Sequence, residues 1–226
     1  MRIAVMGTGP VGRVLAARLS ELGHQVVVGT RDVQATTARV GPDAWGNPAF
    51  PAWLADHPKV GLGSYAEAAR HGELIVNATN GAGSIEALTL AGAAQLAGKV
   101  LVDVANPLDF SAGMPPTLFV KDTDSLGEQI QRAFPEARVV KTLNTLNGEL
   151  QADPGRLAGG DHTVFVSGDD PEAKRVVTGL LRSLGHTDVI DLGDITTARG
   201  PEMYLPLWLR LWTALGTAEL NIKVVR

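Results

Sequence analysis

The sequence predicts an α/β fold: a doubly wound parallel sheet with a small C-terminal α/β extension. Three observations predict it. Short apolar runs alternate with segments of helical periodicity along most of the 226 residues. The first run, Ile3 to Met6, breaks straight into Gly7-x-Gly9-x-x-Gly12, and a helical pattern follows at once. The stretches at the far ends of the runs are built from small or amide residues, as in Ala78 to Gly83 and Ala105-Asn106.

Each element can be justified in turn. Pro10 suits the first turn of the first helix, where its missing N–H costs nothing. Val11, Val14, Leu15, Leu19 and Leu22 then recur at helical spacing, and Gly23 stands where a C-terminal cap belongs. His24 to Thr30 contains the second strand, and Asp32 to Val40 reads as helical, with Asp32 as its cap. Between Gly41 and Pro58, four prolines exclude a long helix, while Trp45, Phe50 and Trp53 suggest a loop folded back onto the body. The alternation resumes with a strand at Val60 to Leu62, a helix from Tyr65 to His71 and a strand at Glu73 to Ala78. A helix from Ser84 to Leu96, a strand at Val100 to Val104 and a loop from Asn106 to Pro116 follow. The helix Ser125 to Phe134 and the strand Arg138 to Thr142 complete residues 1–143, expected to form a Rossmann domain.

Beyond about Asn144 the alternation loosens. Strand-like His162 to Ser167 and Thr187 to Asp191 flank a helix from Pro171 to Leu184, which opens on Asp169, Asp170 and Glu172 as its dipole favours. Residues 144–226 are expected to form a C-terminal α/β subdomain that supplies an acceptor site and a dimer contact. Leu205, Trp208, Leu211, Trp212 and Leu215 make an apolar stripe on the last helix, so a homodimer is expected.

Composition narrows the chemistry. A formal net charge of −4 points away from nucleic acid and anionic membranes as partners. With no cysteine, disulfides, thiolate catalysis and thiolate metal sites are excluded. Met203 to Gly216 is apolar but shorter than the ~20 residues a membrane span needs, and Arg210 interrupts it. Met1-Arg-Ile enters the first strand directly, with no room for a targeting peptide, so the cytoplasm is the expected compartment.

The glycine triplet, set between strand and helix, points to a dinucleotide. Gly7 permits the tight turn, Gly9 admits a pyrophosphate, and Gly12 lets helix and strand pack closely. An acid normally ends the second strand of NAD-binding proteins, where it holds the ribose 2′-hydroxyl. Here Thr30 and Arg31 occupy that place: a hydroxyl donor and a guanidinium able to fork onto a 2′-phosphate. NADP is therefore expected rather than NAD.

The joint pattern has a family likeness. Arg2-Ile-Ala-Val-Met-Gly-Thr-Gly-Pro-Val-Gly12, Val28-Gly-Thr-Arg31 and Glu219-Leu-Asn-Ile-Lys223 resemble the NADPH-dependent F420 oxidoreductase family. Val139 to Asn144 and Asp191 to Arg199 are similar to the cytoplasmic reductase domain of the six-transmembrane metalloreductases. The resemblance implies hydride transfer between NADPH and a deazaflavin (coenzyme F420) or, as the alternative, a flavin/ferric reductase that uses FMN, FAD or a flavin-bound ferric acceptor. It places NADP contacts on Thr8, Gly9, Pro10, Val11, Thr30 and Arg31, and on Ala78, Thr79 and Asn80. The insertion from Gly41 to Pro58 and the loops Asn77 to Asn80 and Ala105 to Pro107 depart from the archaeal members.

The residues themselves add Gly7, Gly12, Ala105 and Asn106 to that cofactor set, because ligands gather at the carboxyl ends of parallel strands. Asn80, Asn106 and Asn144 are candidates either to orient ring carbonyls and carboxamides or to close their own loops. No catalytic nucleophile or acid–base pair is expected, since redox cofactors carry the chemistry of hydride exchange. No metal site is expected either: His24, His57, His71, His162 and His186 are scattered and read as surface or loop residues. Asn77-Ala-Thr79 matches a glycosylation triplet by chance at a strand end. Lys141, Arg138 and Arg199 could meet an anionic cofactor tail or serve structural ion pairs. Two other functions stay open. One is a non-catalytic NADP-sensing module; the other is a β-hydroxyacid or imine dehydrogenase, for which roughly 80 residues after the core are few.

Overall fold

In the computed structural model, residues 1–42 and 46–226 are described. Strand β1 (Arg2–Met6) is buried from Ile3 onward on both faces. Its alternation divides the interior: Ile3 and Val5 face one core, Ala4 and Met6 the other. Helix α1 (Pro10–Glu21) starts with the expected proline and ends at Gly23, whose φ of +86° closes the turn into β2 (Gln25–Thr30). Asp32 caps α2 (Val33–Thr37) by accepting from the Ala35 N–H at 2.9 Å, but the helix ends three residues short of Val40.

The proline-dense insertion is not all loop. Pro51 sits in the first turn of a seven-residue helix, α3 (Phe50–Asp56), and Phe50 is fully buried. Arg13 of α1 straps the segment down: its Nη1 donates to Pro48 O at 2.5 Å and its guanidinium lies 5.5 Å from the Phe50 ring. Trp53 stacks on His57. Trp45 lies outside the described residues.

Strand β3 (Gly61–Ser64) leads directly into α4 (Tyr65–His71) through a reciprocal capping box between Ser64 and Glu67. Strand β4 (Leu74–Asn77) is followed by a helix that the sequence reads as continuous from Ser84 to Leu96. It splits at Gly92, with φ of +92°, into α5 (Ser84–Ala91) and α6 (Ala93–Leu96). After β5 (Val100–Asp103), the expected loop contains a small hairpin, β6 (Leu108–Asp109) and β7 (Thr117–Leu118). Ser125 caps α7 (Leu126–Ala133), and β8 (Arg138–Thr142) follows.

The C-terminal part adds α8 (Gly148–Ala152), β9 (Thr163–Ser167), α9 (Pro171–Leu184), β10 (Asp188–Gly193), α10 (Arg199–Met203) and α11 (Leu205–Leu215). The sheet has eight strands in the order β10-β9-β8-β5-β4-β1-β2-β3. It is parallel except where β9 meets β8, so β9 and β10 run against the first six. Residues 163–193 therefore extend the same sheet. One core packs α1, α8 and α9 on the Ile3 face; the other packs α4 to α7 on the Ala4 face. A third, small cluster joins Trp208 and Leu209 to Leu220 near the C-terminus. Among the described residues, no helix is long and apolar enough to cross a membrane.

Candidate active site

The carboxyl ends of the parallel strands are tied together by their own backbone. Gly7 N–H donates to Gly29 O, Ala78 N–H to Met6 O and Val104 N–H to Asn77 O, at 3.0–3.1 Å. Small residues are required because the loops cross closely. A Cβ on Gly7, which has φ of +115°, would lie 2.7 Å from Ala78 O; one on Gly12 would collide with Gly7 O, and one on Gly81 with Asn106 O. Gly9 differs: a Cβ there would meet nothing within 4 Å. Gly7 and Gly12 thus build the loop, while the space above Gly9 is open to a ligand.

A cavity of about 350 Å³ runs from that opening between the loops after β4 and β5 and the start of α8. Pro10, Val11, Ala78, Thr79, Ala105 and Gln151 are among the residues that line it. None of its described lining residues carries a titratable side chain. Phe110, beyond the short β6 strand, separates it from an apolar chamber of about 160 Å³ against Trp208 and Trp212 and from a shallower one of about 500 Å³ against Phe119 and Gln129.

Beyond β2, two arginines stand near the glycine loop. Arg31 pairs with Glu86 at 3.0 Å, and Arg39 Nη1 donates to Thr8 Oγ1 at 3.0 Å. Tyr65 lies within reach of the fields of Arg31, Glu86 and Arg39, and its burial raises the phenol pKa. Thr30 is buried, and its hydroxyl shares a hydrogen with Thr36 Oγ1 at 2.8 Å, bracing the turn from within. Sequence reasoning missed Arg39. Its signal was positional: residues 31 and 39 flank a five-residue helix, which returns the chain to the same edge.

The model of a family described as coenzyme F420-dependent NADP oxidoreductase matches residues 2–107. A solved protein from Arthrobacter sp. FB24, described only provisionally as an F420-dependent NADP reductase, is 65% identical over 99% of both chains, with a TM-score of 0.96. The chain belongs to the F420-dependent NADP oxidoreductase family. Accordingly it is an NADP-dependent oxidoreductase with a Rossmann-like fold. The F420-dependent NADP reductase of Methanocaldococcus jannaschii is 26% identical over 99% of this chain and 98% of its own. Rat metalloreductase STEAP3 is 32% identical over 92% of this chain, which spans 38% of that protein's length.

Within this oxidoreductase the amide candidates divide. Asn80 is exposed at the crevice mouth and accepts from Ala82 N–H. Asn106 and Asn144 hold each other: Asn106 Nδ2 donates to Asn144 O at 2.9 Å, and Asn144 Nδ2 donates to Asn106 Oδ1 and Pro201 O at 3.0 Å. Both Asn144 donors are therefore committed inside the protein, and its contribution is to fix Asn106.

The possible anion-binding cations are corrected by their surroundings. Lys141 is fully buried, 2.8 Å from both Asp103 and Glu202, and also donates to Ala105 O. Burial works against its charge, but the two carboxylates outweigh that and hold its pKa above the ordinary lysine value. Glu202 in turn accepts from the Leu126 and Gly127 N–H groups at the start of α7. Asp103 accepts from Asn77 and from the Ala105 N–H, so the chain Asn77–Asp103–Lys141–Glu202 underpins the crevice floor. Arg199 forms a two-pronged pair with Glu128, which lowers that carboxyl's pKa, and Arg138 donates to Gly98 O. Lys141 and Arg199 are thus engaged by carboxylates, and Arg138 opens β8 at the end of the sheet opposite the crevice.

Two histidines also depart from expectation. His162 and His186 are buried, 6.2 Å apart edge to face, because β9 and α9 fold over the 3₁₀ turns that follow α8. His186 Nε2 bonds to Gln151 O at 3.0 Å, and burial lowers its pKa to about 4.

Proposed function

We propose that the protein transfers a hydride between NADPH and the deazaflavin coenzyme F420. The observation that carries this reading is the crevice lining: small, amide and apolar residues reach from the open Gly9 to the Phe110 chambers, with no titratable side chain. Reduction of a carbonyl or imine needs a proton donor beside the acceptor atom, whereas hydride exchange between two rings needs only their alignment. The nicotinamide and deazaflavin supply the hydride chemistry when bound.

The chain's own residues do the rest. The glycine-loop N–H groups and the start of α1 receive the pyrophosphate, and Arg31 and Arg39 receive the 2′-phosphate. Asn106, held by Asn144, presents its amide to the ring region. Phe110 and the Trp208 chamber exclude water from the reacting faces. The M. jannaschii and Arthrobacter relatives support F420 as the acceptor.

The test uses NADPH deuterated separately at each C4 face, mixed anaerobically with F420. One label should move to the deazaflavin and the other should stay, because a fixed crevice presents one face. No F420 reduction, or label lost to solvent, would overturn the reading. Reduction of FMN or FAD alone would change the acceptor.

The acceptor site and a homodimer contact are proposed to lie in residues 144–226. Of the expected stripe, Leu205 and Trp208 are buried within the chain, whereas Leu215, like its neighbour Leu207 on α11, is more than half exposed. Light scattering at tens of micromolar should give twice the chain mass. A monomer mass would remove that part of the proposal.

A further inference from the structure

Among the described residues that line the crevice, one carries a buried polar atom whose bonding is incomplete. Gln151, in the last turn of α8, is 2% exposed and lines the cavity beside Leu146 and Gly148. Its Nε2 donates to Leu146 O at 3.1 Å. That bond settles which way the amide points, because the reversed orientation would set two carbonyl oxygens against each other. Its Oε1 is buried with no hydrogen-bond partner. An unpaired buried acceptor is costly, and most such groups in folded proteins are satisfied.

The surroundings fix the backbone of Gln151 on both sides. Gln151 N–H donates to Asn147 O, and Gln151 O accepts from His186, which stays neutral at physiological pH. Gly148 packs against Val11, where a Cβ would lie 3.3 Å from Val11 Cα, so α8 is seated on the start of α1. Gln151, which carries the unpaired oxygen, therefore belongs to the same wall of the cavity as the glycine-loop helix.

We infer that Gln151 Oε1 is the acceptor for the carboxamide N–H of the nicotinamide, and that Gln151 sets which face of the ring is presented. The inference rests on the cofactor placement proposed above. An acceptor is the group required: the carboxamide has two donor hydrogens, and the adenosine end of the dinucleotide lies toward Arg31 and Arg39. Bonding the carboxamide would stop the ring from turning about its ribose bond. That restriction is what stereospecific transfer requires.

The test compares three ligands by calorimetric titration of the full chain: NADP, its 3-acetylpyridine analogue, and adenosine 2′,5′-bisphosphate. In the analogue a methyl group replaces the amide nitrogen. Wild-type protein should bind NADP about tenfold more tightly than the analogue, the cost of leaving a buried acceptor unpaired. Gln151→Met should bring the two within about twofold and leave the bisphosphate affinity unchanged. In wild-type protein, the NMR resonance of the Gln151 side-chain amide should move on adding NADP and stay on adding the bisphosphate. Equal wild-type affinities, an unchanged gap in Gln151→Met, or a stationary amide resonance would each overturn the assignment. So would an equal loss of bisphosphate binding in the variant, which would mark Gln151 as structural only. If wild-type protein binds neither NADP nor the bisphosphate, the cofactor placement itself fails, and this inference with it.

Discussion

Beyond β2, Arg31 and Arg39 lie at the protein surface, and Arg31 has a side chain 63% exposed and paired with an equally exposed Glu86. Under the loops after β5 and β8, Lys141 has no exposed side-chain surface and two carboxylate partners. The surface pair is weak because water screens it, so an incoming phosphate can replace the carboxylate. In the buried cluster, desolvation and mutual attraction are both large, so removing one member leaves the others uncompensated. Cations near one edge of the crevice are thus exchangeable, and the cation beneath its floor is architectural.

The largest expected effect would break that comparison at the floor. Lys141→Met should destabilise the fold by about 3–5 kcal/mol, the typical cost of breaking a buried ion pair from one side. Neutralising Asp103 and Glu202 in the same chain, as Asp103→Asn and Glu202→Gln, should recover much of the loss. Urea unfolding followed by circular dichroism measures both. A loss below ~1 kcal/mol for Lys141→Met would place this lysine with the exchangeable cations.

Acid tests a second buried group, behind α8. His186 has a folded pKa of about 4 and an unfolded one near 6.5. Between those values the unfolded chain binds more protons, so its contribution is complete above pH 6.5 and is lost as pH falls to about 4. The loss should be on the order of 3 kcal/mol from this residue. Unfolding free energies between pH 7 and 4 should slope less in His186→Gln than in wild type.

At the surface edge the effects concern binding. Arg31→Ala should weaken NADP by about 1.5–3 kcal/mol while leaving NAD nearly unchanged. Equal losses for the two nucleotides in calorimetry would remove the 2′-phosphate from this edge. The smallest effect belongs to Glu86→Gln. By freeing Arg31 from a competitor, it should tighten NADP by about 0.2–1 kcal/mol, less at high salt, without changing the melting temperature.

Much of the fold was legible because the relevant signals are local. Apolar runs, the glycine triplet and caps such as Asp32 and Ser125 act within a few residues, and these elements formed where expected. Errors arose where a local rule met a longer-range one. The Gly41–Pro58 insertion gained α3 because Phe50 found a buried place beside Arg13. The helix after β4 broke at Gly92, where a positive φ outweighed continuous periodicity. His162 and His186 read as surface residues until β9 and α9 enclosed them.

The sequence by itself determined the βα alternation, the tight glycine turn between β1 and α1, and the replacement of an acid by Thr30 and Arg31 at the end of β2. Each depends on the spacing of residues along one strand–turn–helix unit. Tertiary structure decided the fate of the charges and amides. Lys141 meets Asp103 across 38 residues, and Asn106 meets Asn144 across the same separation. It also paired Arg39 with Thr8, and left Oε1 of the cavity-lining Gln151 buried without a partner. Periodicity shows which face of an element is apolar; whether a polar group is solvated, paired or left waiting depends on atoms brought close only when the sheet assembles.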